Sequence, residues 1–188
     1  MEAMRGYFGI GVEGISKPLN LGNLLRSAHA FGASFAFVIA PTFDARGVKQ
    51  SDTSKAVANL PFHVFPDVES LTLPVGCQLV GLELVPDAID LPSFRHPMRA
   101  AYVLGAERAS LSPALIERCD YVVRIPGRFC INLGVAGAIA MYDRMLSLGR
   151  FAERPVRAGG PPPAPPTTHV HGEPIWKKKQ RRRDGAPE

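Results

Sequence analysis

What this chain lacks narrows its chemistry before anything it contains. It has three cysteines, Cys77, Cys119 and Cys130, far apart and with no C-x-x-C pair. That pattern argues against a disulfide framework and against a cysteine-based zinc site, and no metal is expected. No stretch approaches the roughly 20 apolar residues of a membrane-spanning helix. The opening segment MEAMRGYFGIGVEG has no long apolar run behind a basic start, so no secretory signal is read in it. The expected setting is cytosolic and reducing, with no membrane partner. Net charge is also scarce over most of the chain: residues 1–150 carry 14 Lys and Arg against 13 Asp and Glu, whereas residues 151–188 carry 8 against 4.

A further absence concerns GIGVEG, Gly9 to Gly14. Its spacing is the G-x-G-x-x-G of a dinucleotide-binding turn. That turn requires a helix to start at the third glycine and an acid about 20 residues later to hold the ribose. Here ISKPLN follows, with Pro18 inside it, and the strand-like SFAFVIA (34–40) ends without an acid. The first acidic residue beyond it is Asp44. The glycines read instead as close-packing positions in a buried strand.

At 188 residues the chain is long enough to bury a core as one ordinary domain. Residues 1–150 alternate apolar strands with helical patterns. YFGIGV, FAFVIA, PFHVF, CQLVGLEL, AAYVLG and YVVRI read as strands. LGNLLRSAHAFGA places Leu21, Leu24, Leu25, Ala28 and Phe31 on one helical face, with Gly32 at its end. DTSKAVANL (52–60), SPALIERC and NLGVAGAIAMYDRMLSLG read as further helices. This alternation implies an α/β fold: a mainly parallel sheet flanked by helices, with ligands beyond the C-terminal strand ends. Residues 151–188 differ: RAGGPPPAPPTT favours extended conformations, and Lys177–Arg183 brings six cations beside Trp176. This segment reads as a disordered tail whose basic cluster contacts nucleic acid.

Three stretches hold polar residues that a plain core does not need. Asn20, Asn23 and Arg26 surround a helix start, with Asn20 the expected cap. LGAERASLS ends a buried strand at Leu104-Gly105 and leads to Glu107. RIPGRFCINLGVAGAIAMYDRM ends a strand at Ile125-Pro126 and leads to Asn132 at a helix head. Each alone has a plain structural reading: a helix cap, a strand-end turn and a second cap.

In this order, N-x-x-N-x-x-R…AFG, then LGxE…LS, then IP…N…A…MYD, the three stretches closely resemble the motifs of the TrmH/SpoU-type family of SPOUT-class RNA methyltransferases. The resemblance covers residues 7–148. It implies the α/β knot, a parallel sheet with a deep C-terminal trefoil, which no periodicity argument could supply. It further implies a homodimer that binds S-adenosylmethionine and methylates ribose 2′-hydroxyls of tRNA or rRNA. By motif position, it places Arg26, Asn20, Glu107 and Asn132 in the catalytic site. It places Leu82, Leu104, Gly105, Ile125, Pro126, Cys130 and Leu133 around the cofactor.

Two departures from the family pattern stand out. The usual S-L-N of the third motif is Cys130-Ile131-Asn132 here, and a thiol is a weaker hydrogen-bond partner than a hydroxyl. The preceding loop, Gly127-Arg128-Phe129, is short. No separate N-terminal RNA-binding domain is read in the chain, which favours a compact substrate, tRNA ahead of rRNA. The alternative from a different class is a non-catalytic RNA-binding protein on the same knotted fold.

Overall fold

The computed structural model describes residues 6–43, 60–106 and 109–161. Of the helix expected over 52–60 only Leu60 is among these, and Glu107 and the basic cluster 177–183 lie outside them. Contacts divide the chain into two units, residues 1–150 and 151–188. Of the second, the described residues 151–161 are exposed and form no helix or strand.

In the first unit a seven-stranded sheet is built of β1 (Tyr7–Glu13), β2 (Phe35–Ile39), β3 (Phe62–Phe65), β4 (Gln78–Leu82), β5 (Ile89–Asp90), β6 (Arg99–Leu104) and β7 (Tyr121–Arg124). Its spatial order is β3-β2-β1-β6-β4-β7-β5, and every pairing is parallel. Among the described residues the α-helices are α1 (Pro18–Ala30), α2 (Pro113–Arg118) and α3 (Leu133–Leu148), with one 3-10 turn at Leu91–Ser93. The expected α/β class with a helix-flanked parallel sheet therefore holds. The two-residue strand β5 was not foreseen: two residues are too few to show a period.

The first glycine motif is explained by packing. Phe35 and Phe37 of β2 lie across β1, and a Cβ added at Gly9 or Gly11 would come within 2.2 or 2.4 Å of their rings. No helix begins at Gly14; α1 starts at Pro18, where the absent N–H costs nothing and the fixed φ suits a first turn. The cap expected of Asn20 is corrected by this start. Lys17 is the N-cap, without a side-chain bond, and Asn20 sits inside the first turn, buried with Leu21, Leu24, Leu25 and Ala28. Proline at the first helical position moved the boundary, because it favours the start without needing a capping side chain. Gly32 follows the helix with φ +76°, the left-handed geometry that glycine enters freely.

α3 covers the same sheet face and lies against α1. A Cβ at Gly137 would fall 2.3 Å from Leu24 Cδ1, so the small residue sets the helix separation. On the other face, Leu111 and Leu115 pack with Val68, Leu71 and the inward side chains of β2, β4 and β6.

At the N-terminal strand ends α3 is fastened by a buried polar network. Arg144, 1 % exposed, donates to the carbonyls of Tyr7 and Met98 at 3.2 and 2.9 Å, to that of Pro97, and to Tyr102 Oη at 3.4 Å. His96 lies 2.5 Å from Tyr102 Oη through Nδ1 and 2.9 Å from Asp143 through Nε2. One tautomer closes this network: Nε2–H donates to the carboxylate, and Nδ1 accepts from the phenol, whose oxygen accepts from Arg144. Burial, with Arg144 adding to it, holds the His96 pKa below its ordinary 6.5 against the opposing pull of Asp143. Burial pushes the Tyr102 phenol up to about 12, so it keeps its proton.

The sign of the linkage follows. The unfolded chain takes a proton on His96 near pH 6.5, while the folded chain resists until a lower pH. The stability tied to neutral His96 is complete above 6.5 and is lost as pH falls from there through the folded pKa. In His96→Gln, thermal melts between pH 8 and 5 are expected to start lower at pH 8 and to fall less steeply below 6.5 than those of the wild type.

Candidate active site

Parallel register sets the floor of the site. Val12 of β1 is level with Leu104 of β6, Leu104 with Leu82 of β4, and Leu82 with Val123 of β7. The chain therefore leaves four adjacent strands at one edge. There it bounds a cavity of about 770 Å³, within the usual range for a small-molecule site. Ligands favour this location in open α/β sheets, especially where the strand order reverses, as it does around β1, β6 and β4.

All seven expected cofactor neighbours lie on this cavity. Leu82, Leu104 and Gly105 come from β4 and β6, Ile125 and Pro126 from the exit of β7, and Cys130 and Leu133 from the approach to α3. Asn20 and Asn132 join them. Asn132 caps α3: its Oδ1 accepts from the amides of Gly134 and Val135 at 2.9 and 3.4 Å, and its Nδ2 donates to Asn20 Oδ1 at 3.5 Å. The cap reading and the site reading thus describe one side chain. Residues 112 positions apart meet because α1 and α3 are in close contact. Cys130 is exposed at the rim beside Phe129, which is 78 % exposed.

Arg26 stands apart. It is exposed on α1 and does not line the cavity. Leu19 and Asn23, seven and three residues earlier, are exposed on the same side of that helix. Exposed Val135, Ile139 and Tyr142 continue an apolar surface along α3, and Ile139 also borders the cavity. Glu107 lies outside the described residues.

The motifs did not point to three further cavity residues. Lys17 contributes a cation at the rim. Arg124 lines the wall with its Nε on Asp90 Oδ1 at 2.7 Å and its Nη1 on the Pro86 carbonyl at 3.1 Å, bracing the turn after β4. Glu83 lines the same wall. Its position one residue past the buried end of a strand was the only signal in the sequence, and a charged residue there is common in any fold.

The donor set suits a nucleoside-like ligand. Leu82, Leu104, Ile125 and Leu133 offer apolar contact for a ring, and the strand exits offer main-chain polar groups. Among the described residues no cluster of three or more His, Cys, Asp or Glu could hold a metal ion, and no helix is long and apolar enough to cross a membrane.

The site is thus a cavity at the C-terminal edge of a parallel sheet, the place where open α/β folds bind ligands. Comparison with known families specifies it further: the chain belongs to the SpoU rRNA methylase family, whose pattern matches residues 8–142. It is 33 % identical over 140 residues to the 23S rRNA (guanosine-2′-O-)-methyltransferase RlmB of Coxiella burnetii, covering 70 % of this chain and 55 % of that protein. It is 28 % identical over 138 residues to the mouse tRNA (guanosine(18)-2′-O)-methyltransferase TARBP1, covering 69 % of this chain and 9 % of that one. The fold is similar to that of an AdoMet-bound rRNA methyltransferase from Sinorhizobium meliloti, with a TM-score of 0.68 and 23 % identity over 79 % of this chain and 59 % of that chain. The chain thus spans about half the length of the RlmB relative it matches.

Asn132→Ala removes the cap of α3 and should lower unfolding free energy by roughly 0.5–2 kcal/mol, read by urea denaturation. Asn132→Asp keeps the acceptor but cannot donate to Asn20. It should recover most of that stability.

Proposed function

We propose that this protein is an S-adenosylmethionine-dependent RNA methyltransferase acting on a ribose 2′-hydroxyl. One observation carries the reading: the residues that the second and third motifs assign to the cofactor, from Leu104 to Leu133, line a single cavity at the C-terminal sheet edge together with Leu82. Membership of the SpoU family supports the same chemistry. The family further implies a deep trefoil knot, in which the C-terminal part of the sheet domain threads a loop.

When bound, S-adenosylmethionine would supply a sulfonium methyl to the ribose 2′-oxygen in line: a carbon–oxygen bond forms as the carbon–sulfur bond breaks, the sulfur leaves as a neutral thioether, and the hydroxyl proton passes to phosphate, water or a neighbouring residue. The protein's task is alignment, which in favourable cases lowers a barrier by up to about 7–11 kcal/mol. Leu82, Leu104, Ile125 and Leu133 hold the purine by apolar contact, with Gly105 and Pro126 admitting main-chain contacts at the rim. Asn132 and Asn20 orient polar groups at the helix heads. Cys130 stands where the family hydroxyl stands, so that orientation falls mainly to Asn132. Glu107 organises the loop side of the site.

Arg26 grips RNA. A guanidinium stays protonated at neutral pH and makes a poor base, but its fork fits a phosphate and can stabilise charge developing on the 2′-oxygen. Its place outside the cavity of its own chain fits a homodimer that pairs over the apolar stripe of α1 and α3. The basic cluster 177–183 adds sequence-independent attraction to RNA, which weakens as salt rises. Substrate preference is read as tRNA ahead of rRNA, and the named relatives divide between the two.

The test is transfer of labelled methyl from S-adenosylmethionine to hypomethylated total RNA, followed by size separation and alkaline digestion. Label is expected in alkali-resistant dinucleotides from the tRNA fraction, reduced about 100-fold or more in Arg26→Ala if Arg26 acts on the transition-state charge. Label confined to large RNA would correct the substrate, and cofactor binding without transfer to any RNA would favour the non-catalytic alternative. The dimer has its own check. Light scattering should give twice the chain mass for the wild type and the single-chain mass for Leu19→Glu, with the circular dichroism spectrum unchanged.

A further inference from the structure

The cavity wall holds one carboxylate that the proposed chemistry does not use. Glu83 directly follows β4, and its amide donates to the Val123 carbonyl of β7 at 3.0 Å, so its backbone is fixed in the sheet. Its two carboxylate oxygens serve different segments. Oε1 accepts from the amide of Leu84 at 2.8 Å, and Oε2 accepts from the amide of Leu111 at 2.8 Å. Leu84 opens the loop after β4, and Leu111 closes the loop after β6. Both loops wall the cavity, the first through Leu84 and the second through Gly105, Ala106, Ala109 and Ser110.

The second loop is held at its near end by shape. A Cβ at Gly105 would lie 2.7 Å from the Ala109 carbonyl and 3.0 Å from the Leu111 amide, so the chain folds back tightly on the glycine. At its far end two strand-terminal carboxylates take consecutive amides: Leu111 goes to Glu83, and Ser112 to Glu13 Oε2 at 2.7 Å. Only Glu83 also lines the cavity and joins one wall to the other.

We propose that Glu83 is a positioning residue that sets the width of the cofactor cavity by tying its two walls to one rigid strand end. This rests on the reading of the cavity as the S-adenosylmethionine site. The chemistry requires a carboxylate, whose two oxygens both accept, and ionised acceptors make the stronger bonds to N–H groups. A glutamine of nearly equal size has one acceptor and one donor, so one of the two amides faces a donor instead. Leu111 is 3 % exposed, and water does not readily replace the lost partner.

The experiment uses the full chain as wild type, Glu83→Gln and Glu83→Ala. Amide hydrogen exchange over residues 105–112 is measured without ligand. Titration calorimetry with S-adenosylmethionine and steady-state kinetics follow. Glu83→Gln is expected to speed exchange at Leu111 and to raise both Kd and KM for S-adenosylmethionine about tenfold, with KM for RNA changed less than about twofold. Unchanged exchange at Leu111 in folded Glu83→Gln overturns the proposal. So does faster exchange with cofactor affinity intact, or an equal rise in both KM values. Should Glu83→Ala fail to fold, the near-isosteric glutamine variant still decides. If the wild type itself binds no S-adenosylmethionine, the proposed function falls, and exchange at Leu111 alone then decides whether Glu83 holds the wall.

Discussion

Parallel pairing of β6 between β1 and β4 is the constraint on which the rest depends. It makes Val12, Leu104 and Leu82 level, and Val123 follows through β7. Parallel strands all end at the same edge, so four chain exits crowd into one region. Strands this buried are apolar throughout, leaving polar chemistry to the residues just past their ends. Glu13, Glu83, Gly105 and Arg124 mark those exits or lie immediately beside them. The cavity is the space between the loops that start there.

The two ends of the sheet do opposite work. At the N-terminal ends, Arg144, His96, Tyr102 and Asp143 form a buried polar network that fastens α3 to β1 and β6. Such a network is stabilising only when its members are paired, and almost every polar atom in this one is; Arg144 Nε has no partner among the described residues. At the C-terminal ends, α1 and α3 bring Asn20 and Asn132 together with side-chain polarity turned to the cavity. Fastening one end leaves the other able to present loops without loosening the helices that frame them. The small residue at Gly137 is what lets α1 come close enough for the two asparagines to meet.

Apolar and charged side chains share the cavity: Leu82, Leu104, Ile125 and Leu133 line it together with Lys17, Glu83 and Arg124, while Arg26 lies outside its lining on α1. The proposed cofactor, with its apolar ring, and the proposed polyanionic substrate make different demands, and the cavity and the exposed face of α1 that bears Arg26 offer them different surfaces. The exposed apolar side chains of α3 reach the cavity at Ile139.

Much of this was legible in the sequence. Alternating apolar strands and helical periods specified the α/β class, since burial on both sheet faces leaves a mark in every strand. The failure of a helix to follow Gly14 excluded the dinucleotide turn. The apolar face of α1 was read correctly because a helical period is local. The motif order pointed to residues from Leu104 to Leu133, and the fold brings these, with Leu82, to one cavity. Other features are properties of tertiary structure alone. Asn20 was read as a cap and lies instead inside the helix, because Pro18 set the start and α3 supplied a polar neighbour. The use of Glu83 on two amides 27 residues apart leaves no local trace, since hydrogen bonds of such span depend on where strands end in space. The same holds for Arg26: its residue type and helix were evident, but only the packing of α1 on α3 decided that it faces away from the cavity of its own chain.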